Sequence, residues 1–222
     1  MKSQQSGFTL VEIAIVLVII GLLLGGILKG QELINSAKVK NLANDFRVIP
    51  TYIYAYQDKY RALPGDDAQA NAHHSGTTAT TPAGKIGDGI IEGAWDSTTN
   101  TDESALVWNH FRKAGLMPGT DTVGDLSDAD PYVAKNNLGG RIGISGNGGP
   151  ATPLITGMSG SYQVCSKGIP GKFAKQLDIQ MDDGDTAKGN MRTVPITAAL
   201  GTAAPPMTDL LDDTTYIVCM TF

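Results

Sequence analysis

The segment Phe8-Thr9-Leu10-Val11-Glu12-Ile13-Ala14-Ile15-Val16-Leu17-Val18-Ile19-Ile20-Gly21-Leu22-Leu23-Leu24-Gly25-Gly26-Ile27-Leu28 limits this chain more than any other. It is about as long as the roughly 20 residues that cross a bilayer as a helix, and its single charge is Glu12. An ordinary secretory signal has a shorter apolar region, about 7–15 residues, ending in a small-residue cleavage site. Gly21, Gly25 and Gly26 imitate such an end only weakly. The segment therefore reads as a transmembrane helix. A carboxylate inside it costs about 2.5–3.5 kcal/mol on insertion scales, so it implies a partner or a task. No basic residue follows on the same helix until Lys29. A cut between Gly7 and Phe8 would create an α-amino group one helical turn from Glu12 on the same face, and that amine is a suitable counter-charge.

The 222 residues suffice for one compact domain and one long additional element. The net charge is -5 and no basic run occurs, which excludes a general nucleic-acid surface, since phosphate neutralisation needs clustered Lys and Arg. Two cysteines, Cys165 and Cys219, lie in short apolar or β-prone stretches. They read as one disulfide formed in an oxidising compartment, with two buried thiols as the alternative.

Gly7-Phe8-Thr9-Leu10-Val11-Glu12 with the apolar run behind it resembles the signal of type IV prepilins and type II secretion pseudopilins. The resemblance implies that a prepilin peptidase cuts after Gly7 on the cytoplasmic side and methylates the new N-terminal Phe8. Glu12 becomes the fifth mature residue and guides assembly by pairing with a neighbour's N-terminus. It implies a structural subunit and not an enzyme: a single-pass inner-membrane protein that an assembly platform moves into a periplasmic or surface filament with other pilins. Adhesion, motility, DNA uptake and secretion are the uses of such fibres. The expected division is a leader at 1–7, a membrane and filament-core helix at 8–28, an amphipathic stalk helix at 29–63 and a head at 64–222. The expected fold is α+β, a lollipop whose long N-terminal helix, its apolar half projecting, packs on a twisted antiparallel sheet. The alternatives are a pseudopilin, or a membrane-anchored secreted binding protein or enzyme.

Beyond the apolar segment, Leu42, Phe46, Ile49, Ile53, Tyr56 and Tyr60 recur at spacings of four and three, the stripe of a helix lying on a core. Pro50 falls inside it and predicts a kink. The glycines at 21, 25, 26 and 30 weaken helix by about 1 kcal/mol each relative to Ala, which predicts local unwinding near 21–26 in a filament. Residues 65–100 read as a long connection. A short helix is predicted over 103–119 with Asp102 as N-cap and Gly115 as its stop. A β-meander is expected over 141–145, 152–156 and 161–165, a helix over 173–181 and a last strand over 216–220.

Candidate chemistry is sparse. Asp182, Asp183 and Asp185 around Gly184 are calcium candidates, although their spacing is not that of an EF-hand and a solvated turn is favoured. Asp66, Asp67 and Asp88 are weaker ones. The adjacent His73 and His74 are expected to point apart, which disfavours zinc. Gly139–Gly146 lacks the lysine of a phosphate loop and the second glycine of a nucleophile elbow, and reads as hairpin glycines. Trp95 and Trp108 are expected at the edge of a core. No cofactor is expected.

Overall fold

The computed structural model describes residues 9–147 and 154–222. One helix, α1, runs Leu10–Tyr60 and stays helical across Pro50 and across the glycines at 21–26. In the single chain, then, 21–26 is wound; the predicted unwinding concerns the filament. Contacts divide the chain into two units, Met1–Lys38 and Val39–Phe222.

In the first unit the apolar side chains have no protein cover: Leu10 is 91 % exposed, Leu17 63 % and Leu22 73 %. A Cβ added at Gly21, Gly25, Gly26 or Gly30 would meet nothing within 4 Å. Packing within this chain therefore does not explain those glycines.

In the second unit the predicted stripe is buried. Val39, Leu42, Phe46, Ile49, Ile53 and Tyr56 of α1 share one core with Ile142 and Ile144 of β1 (Ile142–Gly146), Tyr162 and Val164 of β2 (Tyr162–Pro170), and Tyr216 and Val218 of β4 (Thr215–Thr221). Val107, Trp108 and Phe111 of a second long helix close the same core. The sheet has four antiparallel strands in the order β1-β2-β4-β3, with β3 at Met191–Pro195. The last strand of the chain thus inserts between two earlier ones. A short helix, α2 (Ala70–His74), lies in the long connection, α3 is Glu103–Lys113, and α4 (Gly171–Met181) links β2 to β3.

The predicted meander needs correction, because β1 pairs directly with β2, Gly143 opposite Cys165, and no strand separates them. Residues 148–153 lie outside the described set. From Leu154 the chain buries Leu154, Ile155 and Met158 in a second apolar cluster with Trp95, Val194, Ile217 and the cysteines, and Ile155 makes only an isolated bridge to Thr202. Its apolar residues cover the sheet and do not extend it. Strand β3 was not expected. Helix α3 stops at the glycine expected to end it: Gly115 takes φ +75°, its amide bonds Arg112 O at 3.0 Å and Leu116 N bonds Phe111 O at 2.9 Å. These are the two bonds of a Schellman stop, placed by the one residue type that adopts this φ without strain. Asp102 occupies the N-cap position without a capping bond; its carboxylate accepts the hydroxyls of Thr81 and Ser97. Both tryptophans are 4 % exposed and inside their cores.

Cys165 and Cys219 face each other across β2 and β4 and are joined by a disulfide, closing a separation of 54 residues.

Candidate assembly site

Helix α1 starts with a reciprocal cap. The Glu12 N–H donates to Thr9 Oγ1 at 3.2 Å, while Glu12 Oε2 accepts from both the Thr9 N–H and the Thr9 hydroxyl at 2.7 Å. Thr9-Leu10-Val11-Glu12 is thus a capping box, in which N-cap and third residue each satisfy an amide that the helix leaves open. The motif stands in the sequence as Thr-x-x-Glu ahead of an apolar run, although Glu12 was expected to meet only a terminal amine, its own or a neighbour's. Both bonds to the carboxylate end on Oε2 and the third uses the Glu12 backbone amide, so Oε1 takes no part in the box. Gly7 and Phe8, the expected cut site, lie outside the described residues.

At about 1.5 Å per residue, Leu10–Leu28 runs about 28 Å, close to the ~30 Å hydrocarbon core of a bilayer. None of this apolar surface is buried. Water is a poor solvent for such a surface, at about 25 cal/mol per Å² of apolar area, so lipid or other apolar helices must cover it. The first charged pair beyond it, Lys29 Nζ to Glu32 Oε2 at 2.6 Å, is exposed.

The head gathers side chains that the sequence scattered. All three histidines meet the end of α1: Tyr56 donates its hydroxyl to Asp67 Oδ2 at 2.7 Å, His73 Nδ1 reaches the same oxygen at 2.6 Å, and His74 Nε2 lies 2.6 Å from the Tyr56 oxygen. Since the single Tyr56 proton goes to Asp67, His74 must be the donor in the third bond. His73 and His74 do take different partners, as adjacent residues should, but both rings pack on Tyr60 at 5.2 Å. His110 accepts from Gly65 N at Nδ1 and contacts Thr77 O through Nε2, each at 2.8 Å. Burial holds this imidazole down at about 4. Burial pushes Asp67 up, but the Tyr56, His73 and Gln69 bonds outweigh it and leave the carboxyl below its ordinary value.

Asp66 closes the loop differently, accepting the amides of Gly87 and Gly89. Asp88 turns back on Lys85 and on the Ile90 amide. The calcium candidates also fold inward: Asp182 accepts Met191 N, Asp183 accepts Asp185 N, and Asp185 accepts Ala187 N and pairs with Lys188 at 2.8 Å. Among the described residues no three His, Cys, Asp or Glu side chains gather as a metal set. The acids that sequence reasoning missed are deeper. Glu103 is fully buried and Glu92 is 1 % exposed, while buried Asp178 is pushed up to about 7 by burial and then by Asp182 and Asp183. No local sequence signal marks them, since long-range packing alone buries them.

A capped, exposed apolar helix and an α+β unit with a disulfide-closed antiparallel sheet define a class: a chain with one helix long and apolar enough to cross a membrane and one disulfide-closed α+β unit. Residues 2–28 match the prokaryotic N-terminal methylation motif, the signal of type IV pilin and pseudopilin precursors. No curated protein and no solved structure matches the chain.

Proposed function

We propose that this chain is the precursor of a structural subunit of a type IV pilus or pilus-like filament. Prepilin peptidase cuts between Gly7 and Phe8 and methylates Phe8; the Leu10–Leu28 helix holds the subunit in the inner membrane and then moves into the core of the fibre, packed on the helices of other pilins. The observation that carries this reading is the match of residues 2–28 to the methylation motif on a helix whose apolar surface has no cover. Glu12 sets axial register by accepting a neighbour's terminal amine, a buried ion pair that specifies geometry more reliably than it adds stability. The reading invokes no cofactor and no catalytic centre.

Intact mass of the chain recovered from a host with its prepilin peptidase tests the proposal. Loss of Met1–Gly7 with gain of one methyl group is expected, together with fibres in electron micrographs. An unprocessed N-terminus would overturn it.

A further inference from the structure

Three carboxyls meet inside the second unit: Asp66 from the loop after α1, Glu92 from the 87–95 loop, and Glu103, the first residue of α3. They are 3 %, 1 % and 0 % exposed. Asp66 is satisfied by the amides of Gly87 and Gly89. The two glutamates are not. Glu103 Oε2 accepts the Glu92 backbone N–H at 2.8 Å, but Glu103 Oε1 and both side-chain oxygens of Glu92 are buried without a hydrogen-bond partner. Backbone bonds hold the same stretch of loop in place: Glu92 O accepts Ser104 N at 2.9 Å, and Ile91 O accepts Gly146 N at 2.7 Å.

Two ionised carboxylates in this setting would repel each other and leave buried oxygens without donors, which is costly in an interior. The charged groups that act on Glu103 are Asp66 from the loop after α1 and Glu92 from the 87–95 loop, and Asp88 in turn acts on Asp66, so every one of them is an acid. One proton resolves the arrangement. Carried on Glu103 Oε1 and donated to a Glu92 oxygen, it satisfies an atom on each residue and leaves a single negative charge at the N-terminus of α3, where the helix dipole favours it. We propose that Glu92 and Glu103 share one proton as a buried acid–carboxylate pair, and that this proton clasps the 87–95 loop to α3 with a strength that falls as pH rises. Burial first, then the Glu92 side chain and the charges of Asp66 and Glu92, hold the Glu103 carboxyl well above its ordinary 4.5, against the pull of the Glu92 amide. The folded chain thus keeps a proton that unfolded Glu103 releases near 4.5; the stability it contributes is complete below that value and is lost as pH rises into the alkaline range.

Selective ¹³C-labelling of glutamate carboxyls reads the proton directly, because the chain has four glutamates, Glu12, Glu32, Glu92 and Glu103. An NMR titration of the full chain in non-ionic micelles, from about pH 5 to about pH 10, is expected to show one protonated carboxyl equivalent that persists at neutral pH and is lost only in the alkaline range. Urea melts over the same range supply the second readout. Glu103→Gln puts an amide donor where the proton was and is expected to remove the alkaline titration; relative to wild type, its unfolding constant should fall at least tenfold between about pH 5 and about pH 9. Glu92→Gln supplies the donor from the other side and should do the same. Four carboxyls all ionised at neutral pH, or a pH dependence of stability unchanged in either folded variant, would overturn the proposal; the wild-type titration decides it if neither variant folds.

Discussion

Glu12 caps its own helix and, in the assembly proposed above, also accepts a neighbour's amine, and a pair of substitutions separates the two roles. Its Oε2 completes the capping box with Thr9, while the charge is what a neighbour's amine requires. Glu12→Gln keeps a side chain able to close the box, because Gln serves at that position, but removes the charge. Glu12→Ala removes both, at about 1 kcal/mol for the lost cap. Both variants are expected to be cut and methylated normally, and both to assemble poorly. Fibre yield by shearing and electron microscopy decides: normal fibres from E12Q with few from E12A would show that the cap, and not the charge, matters. The Thr-x-x-Glu signature was open to inspection in the sequence. The deeper acids were not, because nothing near Glu92, Glu103 or Asp178 in the chain announces that distant segments bury them.

Between elements, the aromatic and histidine cluster ties α1, the loop carrying α2, and α3 together. Tyr56 and Tyr60 come from α1, Asp67, His73 and His74 from the loop and α2, and His110 from α3; Lys59 packs on Tyr60 at 4.9 Å. The neutral His110 ring is the form that fits, since its Nδ1 must accept the Gly65 amide. Its folded value of about 4 lies below the ordinary 6.5, so the folded state disfavours the proton. The stability it contributes is complete above pH 6.5 and is lost as pH falls from there towards 4, by up to roughly 3 kcal/mol. Denaturant melts from pH 7 to 4 are expected to show this loss, and His110→Gln to flatten it; an equal slope in the variant would remove His110 as the cause. The same cluster explains why the 65–100 connection reads as loose in sequence yet is anchored in the fold. Polar side chains hold it, and a pattern of hydrophobic spacing does not register them.

At the scale of the molecule the two units have different stabilising forces. The head has a shared core and a disulfide across β2 and β4; in the first unit the described apolar side chains of the helix are exposed. Replacing both cysteines by serine is expected to lower head stability by about 2–4 kcal/mol and to leave the helicity of 10–38 intact in micelles. Circular dichroism would show a lower-temperature transition of the β-signal with a helical baseline that survives it; simultaneous loss of both signals would contradict independent units. By itself the sequence determined the membrane-length helix, its processing signal, the stripe on the second half of α1 and the stop at Gly115, because each is written in local spacing and in what one residue type tolerates. Only tertiary structure decided the insertion of β4 between β2 and β3, the folding of 154–158 over the sheet, the histidine cluster and the burial of Glu92, Glu103 and Asp178, since each depends on residues far apart in the chain competing for the same partners.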